Sequence, residues 1–252
     1  MNIRLKNDLI GSIHNFEEKK SKWPTLGRKR KLNTAQILDR ILYVCKTGCQ
    51  WSHLPVEGAS YKTVYNYFAI WSKAQLFEHV FYDFANVAAS GNRGSLVLDT
   101  SFIKNVHGSD VVGPNPTDRG RMASKMSLLT DSRGTPLCAV FHKANKHDGS
   151  TLKHTLETFQ RKVAGHGNFS SLLADKGYDA SHCRDVCKRH HLDPLIPRRR
   201  TADTYWGRYV VEQTFGLLDQ FRRIRVRYET LVRNFKSMNF LALASIISRR
   251  LS

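Results

Sequence analysis

The chain has 252 residues, 41% of them hydrophobic and 24% charged, a balance that supports a buried core. Its 40 Lys and Arg outnumber 21 Asp and Glu, leaving a formal net charge of +19, and self-repulsion on that scale calls for a polyanionic partner. Nucleic acid is expected rather than membrane, since no stretch approaches the roughly 20 apolar residues of a spanning helix and Met1–Lys20 lacks the apolar core of a secretory signal.

In chain order, the first marked feature is the basic run Arg28-Lys29-Arg30-Lys31. Asn33 followed by Gln36 predicts a capping box, opening a helix whose apolar positions are Ile37, Leu38, Ile41, Leu42 and Cys45 and which Gly48 can end. A turn-rich stretch, Trp51–Ala59, leads to Ser60 as the next N-cap. Val64, Tyr67, Phe68 and Trp71 then form an apolar stripe, and Leu76–Val87 reads as a further helix. Short helices behind a basic run predict a helix-turn-helix-like DNA reader over residues 1–90, with Arg28, Lys29, Arg30, Lys31 and Lys62 as candidate DNA contacts. A small helical bundle with a solvated basic segment is the plainer reading of the same pattern.

The turn Ser90–Gly94 divides the chain, and from Ser95 strands alternate with helices. Ser95–Leu98 is a strand that stops at Asp99. Lys125–Thr130 and Leu137–His142 are strands around an Asp131–Thr135 turn, and Thr151–Val163 is an amphipathic helix. Ser170–Ala174 is a strand that stops at Asp175. A helix over His182–His191, a strand over Asp193–Pro197, a long helix over Tyr205–Ile224 containing Glu212, and a closing helix over Phe235–Leu251 complete the expectation. Residues 95–252 thus read as an α/β domain. Five cysteines (45, 49, 138, 183 and 187), an odd number, suit free thiols in a reducing compartment. The second helical pair lies near His182, His190 and His191, where zinc is conceivable, though small buried hydrophobes are the simpler use.

Open α/β sheets place chemistry beyond strand ends, so Asp99 and Asp175 can be neighbours only in the fold, with Glu212 approaching from a helix. Three such carboxylates would repel unless cations lay between them. Mg²⁺ suits oxygen donors and substrate phosphate. Each residue also has an ordinary explanation: an Asp after a strand forms turns or caps, and Glu212 can pair with Arg208 four residues earlier.

The motifs around these residues resemble the IS5-type branch, within the IS4-like group, of bacterial insertion-sequence DDE transposases. Leu96-Val-Leu-Asp99-Thr-Ser resembles the first catalytic strand of that family, and Leu172-Leu-Ala-Asp175-Lys-Gly-Tyr-Asp179 the second catalytic motif. Tyr205-x2-Arg208-x3-Glu212 is similar to its helix signature. Gly113–Gly120 with Lys125, the segment Ala144-Asn-Lys-His-Asp148, and Gly48–Pro55 in the N-terminal part resemble further blocks, so the likeness covers residues 30 to 250. The resemblance implies an RNase H-like domain, a mixed sheet flanked by helices, in which Asp99, Asp175 and Glu212 hold two divalent ions, Mg²⁺ or Mn²⁺. Water would cut the element end, and the freed 3′-hydroxyl would attack target DNA. Arg119, Lys125, His147, Tyr205 and Arg208 become candidate DNA contacts or supports.

One position departs from the family: Asp219 stands seven residues after Glu212, where a basic residue is usual, and Arg222 and Arg223 are the candidate replacements. The implied partners are double-stranded terminal repeats and target DNA, held by a homodimer or larger synapse. The expected location is the bacterial cytoplasm, on the nucleoid, or the nucleus if the host were eukaryotic. A domesticated, inactive DNA-binding descendant, a nuclease that never joins ends, and a basic RNA-binding protein are the rival readings.

Overall fold

The computed structural model describes residues 3–19, 31–163, 168–199 and 207–251. Helix α1 (Ile3–Lys19), which no sequence pattern had marked, buries Leu9 and Ile13. The expected capping box opens α2 (Thr34–Thr47): Asn33 Oδ1 accepts from the Gln36 amide at 2.8 Å, while Gln36 Oε1 accepts from the Asn33 amide at 2.9 Å. Gly48 ends the helix at φ 72°, a left-handed conformation that suits glycine. Ser60 caps α3 (Tyr61–Lys73) by accepting from the Lys62 amide. Only Ala74 and Gln75 separate α3 from α4 (Leu76–Ala89), so the tight turn among these helices lies there rather than between α2 and α3.

The sheet begins with β1 (Arg93–Asn105), followed by β2 (Gly113–Pro114), β3 (Met122–Thr130), β4 (Pro136–Lys143), α5 (Asp148–Lys162) and β5 (Asn168–Leu173). After these come α6 (Ser181–Arg189), β6 (Asp193–Leu195), α7 (Tyr209–Leu218), α8 (Arg222–Arg225), β7 (Val226–Arg227) and α9 (Val232–Arg250). β4–β3–β1 is an antiparallel run, and β1–β5–β6 continues it in parallel. This is the expected RNase H-like mixed sheet. Strand alternation assigns its faces. Ser127 accepts from Thr155 of α5 at 2.9 Å, while Phe141, paired with Met126 on the opposite face, meets Phe235 of α9 at 5.2 Å between ring centroids. With both faces covered, β3 is buried from Ala123 to Thr130.

Two expectations need correction. β1 does not stop at Asp99 but runs six residues further, to Asn105. Its polar second half is held by the β3 ladder, in which Asp99 pairs with Leu128 and Lys104 with Ala123. The helix expected over Tyr205–Ile224 is broken: α7 ends at Leu218, and Phe221 leaves helical geometry (φ −91°, ψ 88°) with its ring buried before α8 begins. The closing helix α9 is buried on nearly all sides rather than along one stripe. It packs on the N-terminal helices as well as the sheet, with Phe240 lying 5.4 Å from Phe81 and 6.0 Å from Tyr82.

His142 on β4 is 4% exposed, its Nε2 has no partner among the described residues, and the His154 ring stands over it at 5.5 Å. Burial, then His154, Lys146, Lys125 and Lys236, pushes its pKa down to about 4. The folded protein therefore holds this ring neutral, while the unfolded chain takes up a proton below about pH 6.5. Stability attributable to His142 is complete above that pH and is lost as pH falls toward 4. Urea unfolding should show about 2 kcal/mol less stability at pH 5 than at pH 7 from this group, and His142→Phe should flatten that difference. An unchanged pH dependence in the variant would remove His142 as its source.

Candidate active site

The last parallel pair of β1 and β5 is Val97 with Leu173. Two residues further along each strand stand Asp99 and Asp175, at the same level. Past the end of β5, Asp175 caps a short 3-10 turn, Lys176–Tyr178, its Oδ1 accepting from the Gly177 amide at 2.8 Å. Glu212 lies in the first turn of α7, which packs on β1. Because Asp99 pairs with Leu128, it faces the α9 side of the sheet, as Met126 does.

Arg208, immediately before α7, links two of the carboxylates. Its Nη2 lies 3.5 Å from Asp99 Oδ2 and 3.3 Å from Glu212 Oε1, both long for charge-assisted bonds. Among the described residues its buried Nε has no partner, so the guanidinium keeps donor capacity. The carboxyl of Asp99 is pushed above its ordinary pKa, chiefly by burial. The Thr100 amide and Arg208 oppose that rise, while Asp175 and Glu212 add to it. The three acids therefore feel one another across a site short of positive charge.

Behind the sheet lies a second layer, of which sequence reasoning had named only Lys125, as a DNA contact or a support. Thr100, next to Asp99 but on the α5 face, donates to Asp148 Oδ1 at 2.9 Å. Asp148, at the start of α5, is held by Lys125 Nζ at 2.7 Å, and that ammonium also donates to the Lys146 carbonyl at 2.6 Å. Lys125 is 3% exposed, so its charge is engaged inside the protein rather than offered to phosphate: of its two expected roles, DNA contact is corrected and support is the one its contacts fit. The Tyr178 phenol is buried beside the same group, its pKa raised by burial and then by Asp148, Asp99 and Asp175. Asp148 stands inside a block the sequence had flagged, but its partner Thr100 is 48 residues distant.

Arg223 also turns inward. Its Nε donates to Glu229 at 2.7 Å, and it is 8% exposed, so it cannot replace the cation absent at position 219. Arg222 is exposed, and Asp219 pairs loosely with Arg225 at 3.7 Å. Exposed His147 caps α5, its Nδ1 accepting from the Gly149 amide. Arg119 is exposed in the turn before β3, Lys62 in the first turn of α3, and Lys31 ahead of α2. Arg28, Lys29, Arg30 and Tyr205 lie outside the described residues. All five cysteines are free thiols, four of them buried, and burial pushes Cys187 up to about 12.

Among the described residues, no group of three or more His, Cys, Asp or Glu is drawn together tightly enough to cage a metal ion. The carboxylate donors nevertheless fit a hard divalent cation, because Mg²⁺ typically uses one or two carboxylates, several waters and substrate phosphate. Arg208 partly meets the same need for positive charge. Among the described residues, no helix is long and apolar enough to cross a membrane.

Residues 91–247 match the family described as the transposase DDE domain, and residues 13–81 match one described as a transposase of the IS4/5 family. Over 129 residues the chain is 38% identical to the transposase assigned to insertion sequence element IS402 of Burkholderia cepacia, covering 48% of this chain and 61% of that one. Over 127 residues it is 29% identical to the transposase for IS1106 of Neisseria meningitidis serogroup B, covering 45% and 42%. The matches therefore span less than two thirds of either relative. The catalytic domain of Mos1 mariner transposase aligns with 89% of this chain and 97% of its own at 11% identity, with a TM-score of 0.30. A likeness that low adds nothing to the sheet topology already described.

Proposed function

Because this chain belongs to the transposase DDE-domain family, we propose that it is a DNA transposase that cuts the ends of a mobile element and joins them to target DNA. The observation that carries this reading is the level placement of Asp99 and Asp175 beyond the β1–β5 ladder, with Arg208 linking Asp99 to Glu212. Asp99, Asp175 and Glu212 would hold divalent cations, Mg²⁺ or Mn²⁺ and two in number. Bound there, they would supply Lewis-acid stabilisation of the reacting phosphoryl group.

The chain's own residues do the rest. Arg208 turns its spare donors to a non-bridging oxygen of the scissile phosphate, a charge-assisted contact that orients the strand. Asp148, clamped by Lys125, holds Thr100 and so steadies β1 at Asp99. The exposed cations Lys31, Lys62, Arg119 and Arg222 suit backbone phosphates, whose neutralisation supplies sequence-independent affinity. Residues 1–90 would read the terminal repeats, residues 95–252 would carry the chemistry, and two copies would hold the two ends. A basic protein of this kind belongs on the nucleoid in the bacterial cytoplasm.

Incubating the protein with labelled end DNA and a target plasmid, with Mg²⁺ or with EDTA, tests the reading. Joined product that requires the metal is the expected result. Cleavage without joining would make the protein a nuclease, and binding with neither product would overturn the enzymatic reading. Arg208→Ala should slow single-turnover cleavage about a hundredfold, by analogy with other charge-stabilising donors, and Arg208→Lys should recover only part of it, lacking the planar fork. An unaltered rate in Arg208→Ala would leave the residue merely pairing with its neighbours.

A further inference from the structure

Helix α7 carries Glu212 but has little of its own to fix its place. It spans ten residues, short for a helix to persist on its own propensity, and Tyr209 at its start is exposed. The Asp131–Thr135 turn between β3 and β4 seats it. Gly134 in that turn has φ 78°, a left-handed conformation. A Cβ there would sit 2.7 Å from the Val210 carbonyl oxygen and 2.9 Å from Thr214 Oγ1, so glycine alone lets the turn meet the helix this closely. Thr214 is fully buried. Its hydroxyl lies 2.7 Å from the Gly134 carbonyl and 2.8 Å from that of Val210, one proton shared between turn and helix.

The turn is itself braced. Asp131 is fully buried, and its carboxylate accepts from the Thr135 amide at 2.7 Å, the Arg133 amide at 2.9 Å and Asn92 Nδ2 at 2.7 Å. Asn92 stands immediately before β1, the strand that carries Asp99. Arg250, at the end of α9, donates to the Arg133 carbonyl. Val210 and Thr214, four residues apart, share the face of α7 that meets the turn. Arg208 and Glu212, also four apart, share the face from which Arg208 reaches Asp99. One side of the helix is latched and the other bears the chemistry.

We propose that Thr214, seated on Gly134, is a positioning residue that sets how far Glu212 reaches toward the cation site of Asp99 and Asp175, an inference that rests on the transposase reading. The Glu212 side chain is exposed, so the placement of the helix backbone, rather than packing around the carboxylate, decides where that carboxylate sits. A shift of about 1 Å in such a group is enough to cost a large part of a site's effect. Because the turn is tied to Asn92 and the helix to the turn, Glu212 is held in register with the strand that carries Asp99. Losing the Thr214 hydroxyl would free α7 to drift along the sheet while leaving the chain folded.

The test measures Mn²⁺ binding to the whole protein without DNA, by electron paramagnetic resonance, beside thermal unfolding and the Mg²⁺ concentration for half-maximal cleavage of end DNA. Thr214→Val keeps the shape and loses the donor. It should bind Mn²⁺ about tenfold more weakly and need about tenfold more Mg²⁺, as changes behind a metal ligand do. Thr214→Ser keeps the donor and loses a buried methyl group, so it should melt below wild type yet respond to metal as wild type does. A merely structural threonine would instead make the metal response follow the melting temperature in both variants. In a Glu212→Gln background, Thr214→Val should weaken Mn²⁺ binding no further, since the ligand it positions is already gone. If Thr214→Val does not fold, Thr214→Ala removes the same donor and takes its place. A wild-type metal response without the hydroxyl, an equal loss in Thr214→Ser, or additive losses with Glu212→Gln would overturn the proposal. If metal-dependent cleavage and joining by the wild type persist alongside such a result, only this inference falls. If the wild type neither binds Mn²⁺ nor cuts end DNA, the transposase reading falls and takes the inference with it.

Discussion

Asp99→Asn is expected to lower metal-dependent DNA cleavage on the order of a thousandfold, about 4 kcal/mol of transition-state stabilisation, without weakening the fold. The exchange keeps the shape of the side chain and removes its charge, and with it a ligand able to hold a divalent cation. Stability should move the other way. Burial and the neighbouring Asp175 and Glu212 make an ionised Asp99 unfavourable in the folded protein, so a neutral amide relieves that repulsion. Single-turnover cleavage of labelled end DNA and a melting curve without metal measure the two effects together. Lost activity with an equal or higher melting temperature would mark a charge kept for chemistry at the expense of stability. Cleavage close to wild type would remove Asp99 from the active site, and a much lower melting temperature would make any loss of activity a folding defect.

Arg227→Ala should destabilise the protein by about 3–5 kcal/mol, the range for emptying the site of a large, fully buried side chain. Arg227 is 0% exposed. Its guanidinium donates to the carbonyls of Asp110 at 2.6 Å, Glu229 at 3.1 Å and Thr230 at 3.4 Å, and to Ser124 Oγ at 3.3 Å. It also stacks 4.6 Å from the Phe235 ring centroid. Removing it leaves the buried Glu229 carbonyl and Ser124 hydroxyl without this donor and opens a void in the core. Gly108 makes room for the group: a Cβ there would sit 2.3 Å from guanidinium atoms. Gly108→Ala should therefore destabilise the protein as well, whereas Arg249→Ala, on an exposed part of α9, should stay within about 0.5 kcal/mol of wild type. Chemical denaturation settles the comparison. Similar midpoints for Arg227→Ala and Arg249→Ala would mean that the buried network contributes little.

What could be read from the sequence was what local chemistry controls. The Asn33–Gln36 capping box, the Ser60 cap and the Gly48 terminus depend on residues at most four apart, and all three formed as expected. The strands leading to Asp99 and Asp175 were legible as apolar runs. The continuation of β1 was not, because Thr100–Lys104 owes its extended form to ladder bonds with β3, whose paired residues lie about twenty or more positions away. Apolar spacing continues through Leu217, Leu218, Phe221 and Ile224, which hid the break between α7 and α8. Charge misled for a related reason. Lys125 and Arg223 look like solvent-seeking cations until the fold presents Asp148 and Glu229 to them. The Asp148–Thr100 contact is wholly tertiary, and no spacing along the chain announces it.

The packing of α9 against α4 also has a consequence for how the protein is made. Phe81 and Tyr82 are synthesised early, yet the ring that covers them belongs to Phe240, on the far side of the whole sheet in chain order. The N-terminal helices therefore cannot finish their core while the ribosome is still translating the strands. Until α9 emerges, those aromatics must be shielded by chaperones or by transient non-native contacts. A shortened product that ended before α9 would carry the basic helices and the carboxylates but would be a substrate for proteolysis rather than a competent competitor for DNA.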